Sequence, residues 1–219
     1  VFNPRRRAEV LPRFDRRYLH RTAHNLAAAL SALHHSGYVA GDINESNVLV
    51  TPQALVTLID TDSFQVRETR NKTQVLYPCP VGKPEYTPPE LQGKALGEVA
   101  REPDHDAFGL AALIFQLLME GSHPFRAQWL GPGDPPPMEK RIAQGAYPYA
   151  GKDGRLVAPP RNAPPLDTLH PKLVELFRRC FVDGHSSPRR RPGPDLWVQA
   201  ISEAETHLIC CAEGHYYAG

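Results

Sequence analysis

The sequence predicts a mainly α fold of the α+β class, in which helices surround one small β-hairpin. Apolar residues recur at helical spacing over residues 15–36, and residues 104–120 are apolar nearly all round. Between these segments, apolar runs at 48–51 and 55–59 flank a tight turn at 52–53, which is the pattern of a hairpin. Because a helix that is apolar on every side must be buried, the 104–120 helix is expected to cross the core.

Length and composition limit the possible partners. A chain of 219 residues can bury one sizeable core. Its formal net charge of +1 gives no bias toward nucleic acid or a membrane surface, so neither partner is expected. No apolar run is long enough to span a membrane, and no signal peptide opens the chain. Four cysteines, two of them adjacent, do not resemble a disulfide framework, which favours a cytoplasmic location.

The first long helix carries its own end signals. Residues 1–14 are basic and are expected to be irregular. Asp15 suits the N-cap of the 15–36 helix, and Phe14 can pack against the helix as a hydrophobic staple. Gly37 supplies a left-handed stop. The apolar stripe of this helix consists of Leu19, Ala23, Leu26, Leu30 and Leu33.

Three polar side chains lie at the corners of the hairpin. Asp42 and Asn47 precede the first strand, and Asp60 follows the second. Pairing of the strands brings both ends to one edge, so these side chains are expected to converge. Asp and Asn are also ordinary turn residues, and their spacing alone leaves a purely structural role open. A carboxylate that accepts a proton, beside a carboxylate and an amide that hold a hard cation, is suited to phosphoryl transfer.

The order D-x-x-x-x-N, apolar strand, turn, apolar strand and Asp resembles the catalytic region of the protein kinase family. The resemblance implies that Asp42 is the catalytic aspartate, and that Asn44 replaces the lysine with which Ser/Thr kinases steady the transferred phosphate. It also implies that Asn47 and Asp60 bind the nucleotide and its metal. Asp62 is a further candidate metal ligand.

Two later motifs extend the resemblance. Residues 65–81 lack periodicity and are expected to form a mobile surface loop. The sequence V-G-K-P-E-Y-T-P-P-E that follows resembles the end of a kinase activation segment. Asp104 matches the first aspartate of a kinase helix, and in the family this aspartate tethers the backbone of the catalytic loop. Arg191, in an R-P element, is expected to form a buried ion pair with Glu90.

The remaining helices complete the predicted lobe. The Pro- and Gly-rich region 126–170 is expected to hold one short helix at 138–144. An amphipathic helix is predicted over 171–181 and a last helix over 194–208. The resemblance thus implies one kinase-like C-lobe.

This C-lobe is assigned to residues 1–208 and is followed by a tail, 209–219. In the tail, Cys210, Cys211 and His215 are candidate ligands for zinc, which needs four; an ordinary cysteine pair is the alternative.

The N-terminal half of a kinase is not visible in the sequence. It has no Gly-rich phosphate loop and no V-A-I-K strand, and its first residue is Val1 rather than methionine. We therefore expect the N-lobe to lie in upstream sequence or in another chain. The chain by itself is expected to be inactive.

Some positions depart from the family pattern. Ala40 and Gly41 replace the usual His-Arg before Asp42, so control by a phosphate on the following loop loses its usual partner. Thr61 and Asp62 replace the F-G of D-F-G. The runs G-D-x-N-x-x-N and I-D-x-D-S-F are similar to those of bacterial kinase-like proteins linked to stress and tellurite-resistance clusters.

The expected function is transfer of the ATP γ-phosphate to a serine or threonine hydroxyl of a protein, with magnesium, or alternatively manganese, as the metal. Two alternatives remain open. Small-molecule phosphotransferases of the aminoglycoside or choline type share G-D-x-x-x-x-N and I-D-x-x. A pseudokinase or regulatory scaffold is favoured by the missing arginine and lysine.

Overall fold

The computed structural model describes residues 1–151, 156–210 and 216–218. In these residues helices predominate and the strands occur as two-stranded sheets, so the predicted mainly α, α+β class is confirmed. The helices are α1 (Pro4–Val10), α2 (Arg16–His35), α3 (Pro103–Leu118), α4 (Met138–Ala143), α5 (Pro171–Arg178), α6 (Gly184–Ser186) and α7 (Pro194–Thr206). The antiparallel pairs are β1 (Val48–Val50) with β2 (Val56–Leu58), β3 (Val66–Arg70) with β4 (Thr73–Tyr77), β5 (Gln128–Trp129) with β6 (Val157–Ala158), and β7 (Leu208–Cys210) with β8 (Tyr216–Ala218).

Helix α2 begins and ends where its end signals predict. The Asp15 carboxylate accepts a hydrogen bond from the backbone N–H of Arg17 at 2.8 Å. Phe14 is buried and packs against Tyr18 of the helix, with ring centroids 5.1 Å apart. Gly37 follows the helix with φ of +83°, a conformation that glycine adopts without steric cost.

Helix α3 crosses the core, as its apolar sequence predicts. All of its residues from Asp106 to Phe115 are buried. Around it, neighbouring aromatic rings pack with centroids 5.0–6.3 Å apart, within the range of favourable edge-to-face and offset contacts. The rings belong to Phe108, Phe115, Phe125, Phe177 and Phe181.

The β1–β2 hairpin is fixed to α2 at its turn. Ala54 adopts a left-handed conformation with φ of 62° and is fully buried. Its carbonyl accepts a hydrogen bond from the side-chain amide of Asn25 on α2 at 2.8 Å. With Val48 opposite Leu58, this anchor sets the direction in which the open end of the hairpin points.

Two segments predicted to be irregular are ordered. Residues 66–77 form the β3–β4 hairpin, so the prediction of a mobile loop over 65–81 is wrong there. Its two-residue turn uses Asn71 and Lys72, both at positive φ, which matches the twist of paired strands without any glycine to mark it. Helix α1 was also missed; Asn3 caps it by accepting from the backbone N–H of Arg6 at 3.0 Å, and Pro4 occupies its first position.

The C-terminal helices agree closely with prediction. Helix α4 lies within 138–144, and the predicted 171–181 helix is α5 followed by a π-helical turn, Arg179–Asp183. Helix α7 ends two residues before the predicted boundary because β7 begins at Leu208. Among the described residues, no helix is both long enough and apolar enough to cross a membrane.

The tail returns to α2. The Arg17 guanidinium lies 4.0 Å from the centre of the Tyr216 ring, a cation–π distance. Of the candidate zinc ligands, Cys210 lies in β7, whereas Cys211 and His215 fall outside the described residues.

Candidate active site

Asp42 is the centre of a hydrogen-bonded loop. Its carboxylate accepts from the Asn44 side-chain amide at 2.8 Å, from the backbone N–H of Lys83 at 3.1 Å and from the Asn47 side-chain amide at 3.3 Å. Two of these donors belong to its own loop and one to the segment 81–90. The carboxylate is therefore oriented from two parts of the chain that are 41 residues apart.

Asn47 is held so that its amide oxygen remains available. Its amide nitrogen donates to the Asp42 carbonyl at 3.0 Å. Its own backbone carbonyl accepts from Ile59 N–H at 3.0 Å, which extends the hairpin pairing by one step. Asp60 is the next residue after Ile59, so the hairpin brings Asn47 and Asp60 to the same end, next to Asp42.

Asp60 has a backbone conformation that residues other than glycine rarely adopt. Its φ and ψ are 61° and 41°, in the left-handed region, where Asp is more tolerated than most residues. The carbonyl of Asp60 accepts from the hydroxyl of Ser63 at 2.8 Å, which fixes this turn. Its side chain is exposed and makes no cap hydrogen bond to the turn. Such strained residues concentrate at functional sites.

The donor set fits a hard divalent cation. Asn47 offers an amide oxygen and Asp60 a carboxylate, and Asp62 is exposed in the same 3-10 turn, Thr61–Ser63. No cluster of three or more His, Cys, Asp or Glu side chains that could hold a metal occurs in the described parts of the chain. Since magnesium is usually held by one or two carboxylates with phosphate and water as the other ligands, a cation bound here would take most of its ligands from a bound nucleotide.

The side chain of Asn44 is bonded to Asp42 and does not point into solvent. Its side chain is buried, its amide nitrogen donates to Asp42, and its amide oxygen accepts from Ser46 N–H at 2.9 Å. The sequence grouped Asn44 with the catalytic residues; its contacts instead describe a positioning residue.

The loop is tethered by Asp106, not by Asp104 as the sequence predicted. The Asp106 carboxylate, 1% exposed, accepts from the backbone N–H groups of Ala40 and Gly41, both at 2.8 Å. His34 on α2 contacts the same carboxylate at 2.9 Å. Residues two apart on a helix point in different directions, so Asp104 and Asp106 cannot exchange roles. An aromatic residue, Phe108, follows Asp106 by two positions. This spacing is the signal in the sequence that could have assigned the tether to Asp106.

A buried arginine that the sequence did not indicate joins the loop to the segment 81–90. Arg101, 1% exposed, donates to the carbonyl of Gly41 at 3.1 Å and to that of Val81 at 3.0 Å. Its backbone is paired with the buried Gln65 side chain, which accepts from Arg101 N–H at 2.6 Å and donates to its carbonyl at 2.7 Å. No local pattern marks Arg101, because its partners lie 20 to 60 residues away.

Close packing beside Asp42 requires a glycine. Gly41 has φ of +75°, and a Cβ added there would lie 2.6 Å from the Cβ of Cys79. Cys79 is fully buried, and burial raises the pKa of its thiol above the usual value. The backbone of the loop at Gly41 therefore lies against the side chain of Cys79, two residues before the segment 81–90.

The predicted ion pair between Glu90 and Arg191 is present. The two guanidinium nitrogens donate to the two carboxylate oxygens, each at 2.6 Å, and the Arg191 side chain is fully buried. Arg191 also donates to the carbonyl of Asp104 at 3.1 Å. Burial by itself would raise the pKa of Glu90, but the hydrogen bonds and charge of Arg191 outweigh it, so this pKa lies below its usual value. The pair fixes the end of the segment 81–90 to α3.

The helical lobe, the tethered acidic loop and the ion-paired segment agree with the kinase resemblance of the sequence. No family model matches the chain. It is, however, similar to two curated proteins, both named Protein kinase YegI. The one from Escherichia coli O157:H7 is 33% identical over 224 aligned positions, which cover 100% of this chain and 34% of that protein. The one from Escherichia coli strain K12 is 33% identical over 214 positions, covering 96% of this chain and 32% of that protein.

Both relatives are named as protein kinases, which supports a kinase-like family for the chain. The chain spans about a third of the length of the relatives it matches.

Proposed function

We propose that this chain is the catalytic lobe of a Ser/Thr protein kinase of the Hanks type, which transfers the γ-phosphate of ATP to a protein hydroxyl. The observation that supports the proposal is the hydrogen bond from the Asn47 amide to the Asp42 carbonyl at 3.0 Å, at the end of the hairpin where Ile59 pairs with Asn47 and Asp60 follows. Phosphoryl transfer needs a proton acceptor beside oxygen ligands for a cation, and these are the roles proposed for the three residues.

Asp42 is the proposed catalytic base. The acceptor hydroxyl oxygen forms a bond to the γ-phosphorus as the bond from that phosphorus to the β–γ bridging oxygen breaks, and ADP leaves. The hydroxyl proton passes to the Asp42 carboxylate, which Asn44 and Lys83 N–H hold in place. Asn47 and Asp60, with Asp62 as a further ligand, would hold magnesium or manganese, which neutralises charge on the phosphates.

The proposal also includes a surface for the nucleotide base and an N-lobe that covers the nucleotide. Leu49 on β1, two residues after Asn47, is 56% exposed and offers an apolar surface for a base. We infer that residues 1–208 form the C-lobe, and that an N-lobe from upstream sequence or another chain covers the nucleotide. The protein would act in the cytoplasm, within the bacterial stress- and tellurite-resistance-associated type.

The test is the Asp42→Asn variant of the full-length protein. Removing the base should lower phosphotransfer by about 10²–10⁴-fold while magnesium-dependent ATP binding is retained. Asp134→Asn, at an exposed position far along the chain, is the matched control and should leave both unchanged. Full turnover by Asp42→Asn would remove Asp42 from the mechanism.

Acceptor and ligand screens distinguish the other two candidates. Phosphorylation of aminoglycosides or choline, with no transfer to protein acceptors, would indicate a small-molecule phosphotransferase. A wild-type protein that binds no magnesium-ATP would indicate a regulatory scaffold, a role that the neutral, fully engaged Asn44 favours.

A further inference from the structure

Lys83 is attached to the loop of Asp42 at two points. Its backbone N–H donates to the Asp42 carboxylate at 3.1 Å. Its ammonium group is ion-paired with the carboxylate of Glu45, three residues after Asp42. Unlike the buried groups around it, the pair is partly open, with side-chain exposures of 36% for Lys83 and 34% for Glu45.

The other polar groups that orient this loop already use their hydrogen-bonding atoms within the protein. Arg101 is 1% exposed and donates to two backbone carbonyls. Asn44 is neutral and uses both ends of its amide within the loop. Among the described residues bonded to Asp42, Lys83 is therefore the one that brings a partly exposed positive charge.

The ammonium of Lys83 can reach the space in front of Asp42. Its backbone N–H already contacts the Asp42 carboxylate, and a lysine carries its charge on a flexible four-carbon stem. Rotation about side-chain bonds therefore moves the ammonium from Glu45 to a group bound beside Asp42. The phosphoryl group in transit to a hydroxyl that Asp42 deprotonates must lie in that space.

We infer that Lys83 is a catalytic residue whose ammonium leaves Glu45 and contacts the terminal phosphate of the bound nucleotide. The inference rests on the proposed function. Charge develops on the transferring phosphoryl oxygens, and a fixed cation there stabilises the transition state more than one in bulk water. Glu45 keeps the ammonium close to the site until the more highly charged phosphate of a nucleotide binds.

The contacts of Glu45 agree with this role. Its carboxylate is bonded directly to the ammonium of Lys83, so it competes with a phosphate for the same ammonium. The Tyr86 ring, 5.8 Å from the ammonium, lies beside the pair, with its hydroxyl donating to Gln116 at 2.8 Å.

The test compares magnesium-ATP with magnesium-ADP affinity, measured by calorimetry on the full-length protein. Only ATP carries the phosphate that Lys83 would contact. Lys83→Met should therefore lower the preference for ATP over ADP by about tenfold, the loss expected for one charge-assisted hydrogen bond. Lys83→Arg should retain part of the preference.

Glu45→Gln separates the inference from a merely structural ion pair. It removes the competitor, so the preference for ATP should rise, and this gain should vanish in the double variant with Lys83→Met. If the pair only braces the loop, both single variants break the same contact and shift the preference in the same direction. That result would overturn the inference.

Lys172→Met breaks the Lys172–Glu203 ion pair between α5 and α7 and should leave both affinities unchanged. Equal loss of ATP and ADP affinity in Lys83→Met, or no loss, overturns the role of Lys83 while the proposed function stands. A wild-type protein that binds neither nucleotide overturns the proposed function, and the role of Lys83 with it.

Discussion

The side-chain amide of Asn47 donates its hydrogen to the backbone carbonyl of Asp42 at 3.0 Å, and this bond fixes which end of the amide remains for a ligand. With the nitrogen engaged, the oxygen is the free ligand atom. The contact therefore links the geometry of the loop to the chemistry of the site.

Asn47→Ala should weaken magnesium-dependent ATP binding by about tenfold or more, because it removes both the proposed oxygen ligand and the bond that holds the loop. Titration of magnesium at fixed ATP, followed by calorimetry, measures the effect. Asn162→Ala, at an exposed position, is the control and should bind like the wild type. Unchanged magnesium dependence in Asn47→Ala would exclude Asn47 as a metal ligand.

Asp106→Ala should lower the free energy of unfolding by about 2–5 kcal/mol, since it leaves two backbone N–H groups without their acceptor. Asp104→Ala should cost only about 0.3–1 kcal/mol, the value of an acidic residue in the first turn of a helix. Urea unfolding of the two variants gives the comparison. Similar costs for both would contradict the assignment of the tether to Asp106.

Arg101→Met should open the contact between the loop of Asp42 and the segment 81–90. It leaves the carbonyl of Gly41 without its donor and that of Val81 with only the Cys79 thiol, and an unsatisfied buried group costs about 1–3 kcal/mol. Hydrogen exchange of the backbone amides around residues 41 and 81 should accelerate. Arg189→Met, at an exposed position, should leave these exchange rates at the wild-type level.

Glu90→Gln should cost about 3–5 kcal/mol at neutral pH, because it leaves the buried Arg191 charge without its partner. The folded-state pKa of Glu90 lies below the unfolded value of 4.5, so the stabilisation is present above pH 4.5. It is lost as the pH falls through the folded pKa. Urea unfolding from pH 7 to pH 3 should show the wild type and Glu90→Gln converging only at the acid end.

His123 should make the fold sensitive to mild acid. Its Nε2 bonds the carbonyl of Glu85 at 2.9 Å and its Nδ1 accepts from Phe125 N–H at 3.2 Å, so the buried neutral ring has no place for a second proton. Burial lowers its pKa from 6.5 to about 4. Between these values the unfolded state binds more protons, and stability therefore falls as the pH drops from 6.5 to 4.

His123→Asn removes this titration and should reduce the loss of stability between pH 6.5 and pH 4, as measured by urea unfolding. His35→Asn, at an exposed position, is the control and should keep the wild-type pH profile. A wild-type stability that is flat over this range would contradict the role of His123.

Local patterns in the sequence determined much of this protein. Periodicity and end signals placed α2 from Asp15 to Gly37, and the all-round apolarity of α3 placed it in the core. The hairpin between Asn47 and Asp60 followed from two apolar runs and a turn. The Glu90–Arg191 pair came from the motif resemblance. Neighbouring residues carry the information for the helices and the hairpin, and two separate motifs carry it for the ion pair.

The tertiary structure alone decided which polar groups meet. Asp104 and Asp106 both lie in the first turn of α3, and the direction in which each side chain leaves the helix selects Asp106 for the loop. Arg101 reaches Gly41, 60 residues away, and Lys83 reaches Asp42, 41 residues away, without any shared local pattern. The physical reason is that a buried hydrogen-bonding group must find a partner within about 3 Å, and which group lies at that distance depends on how whole elements pack.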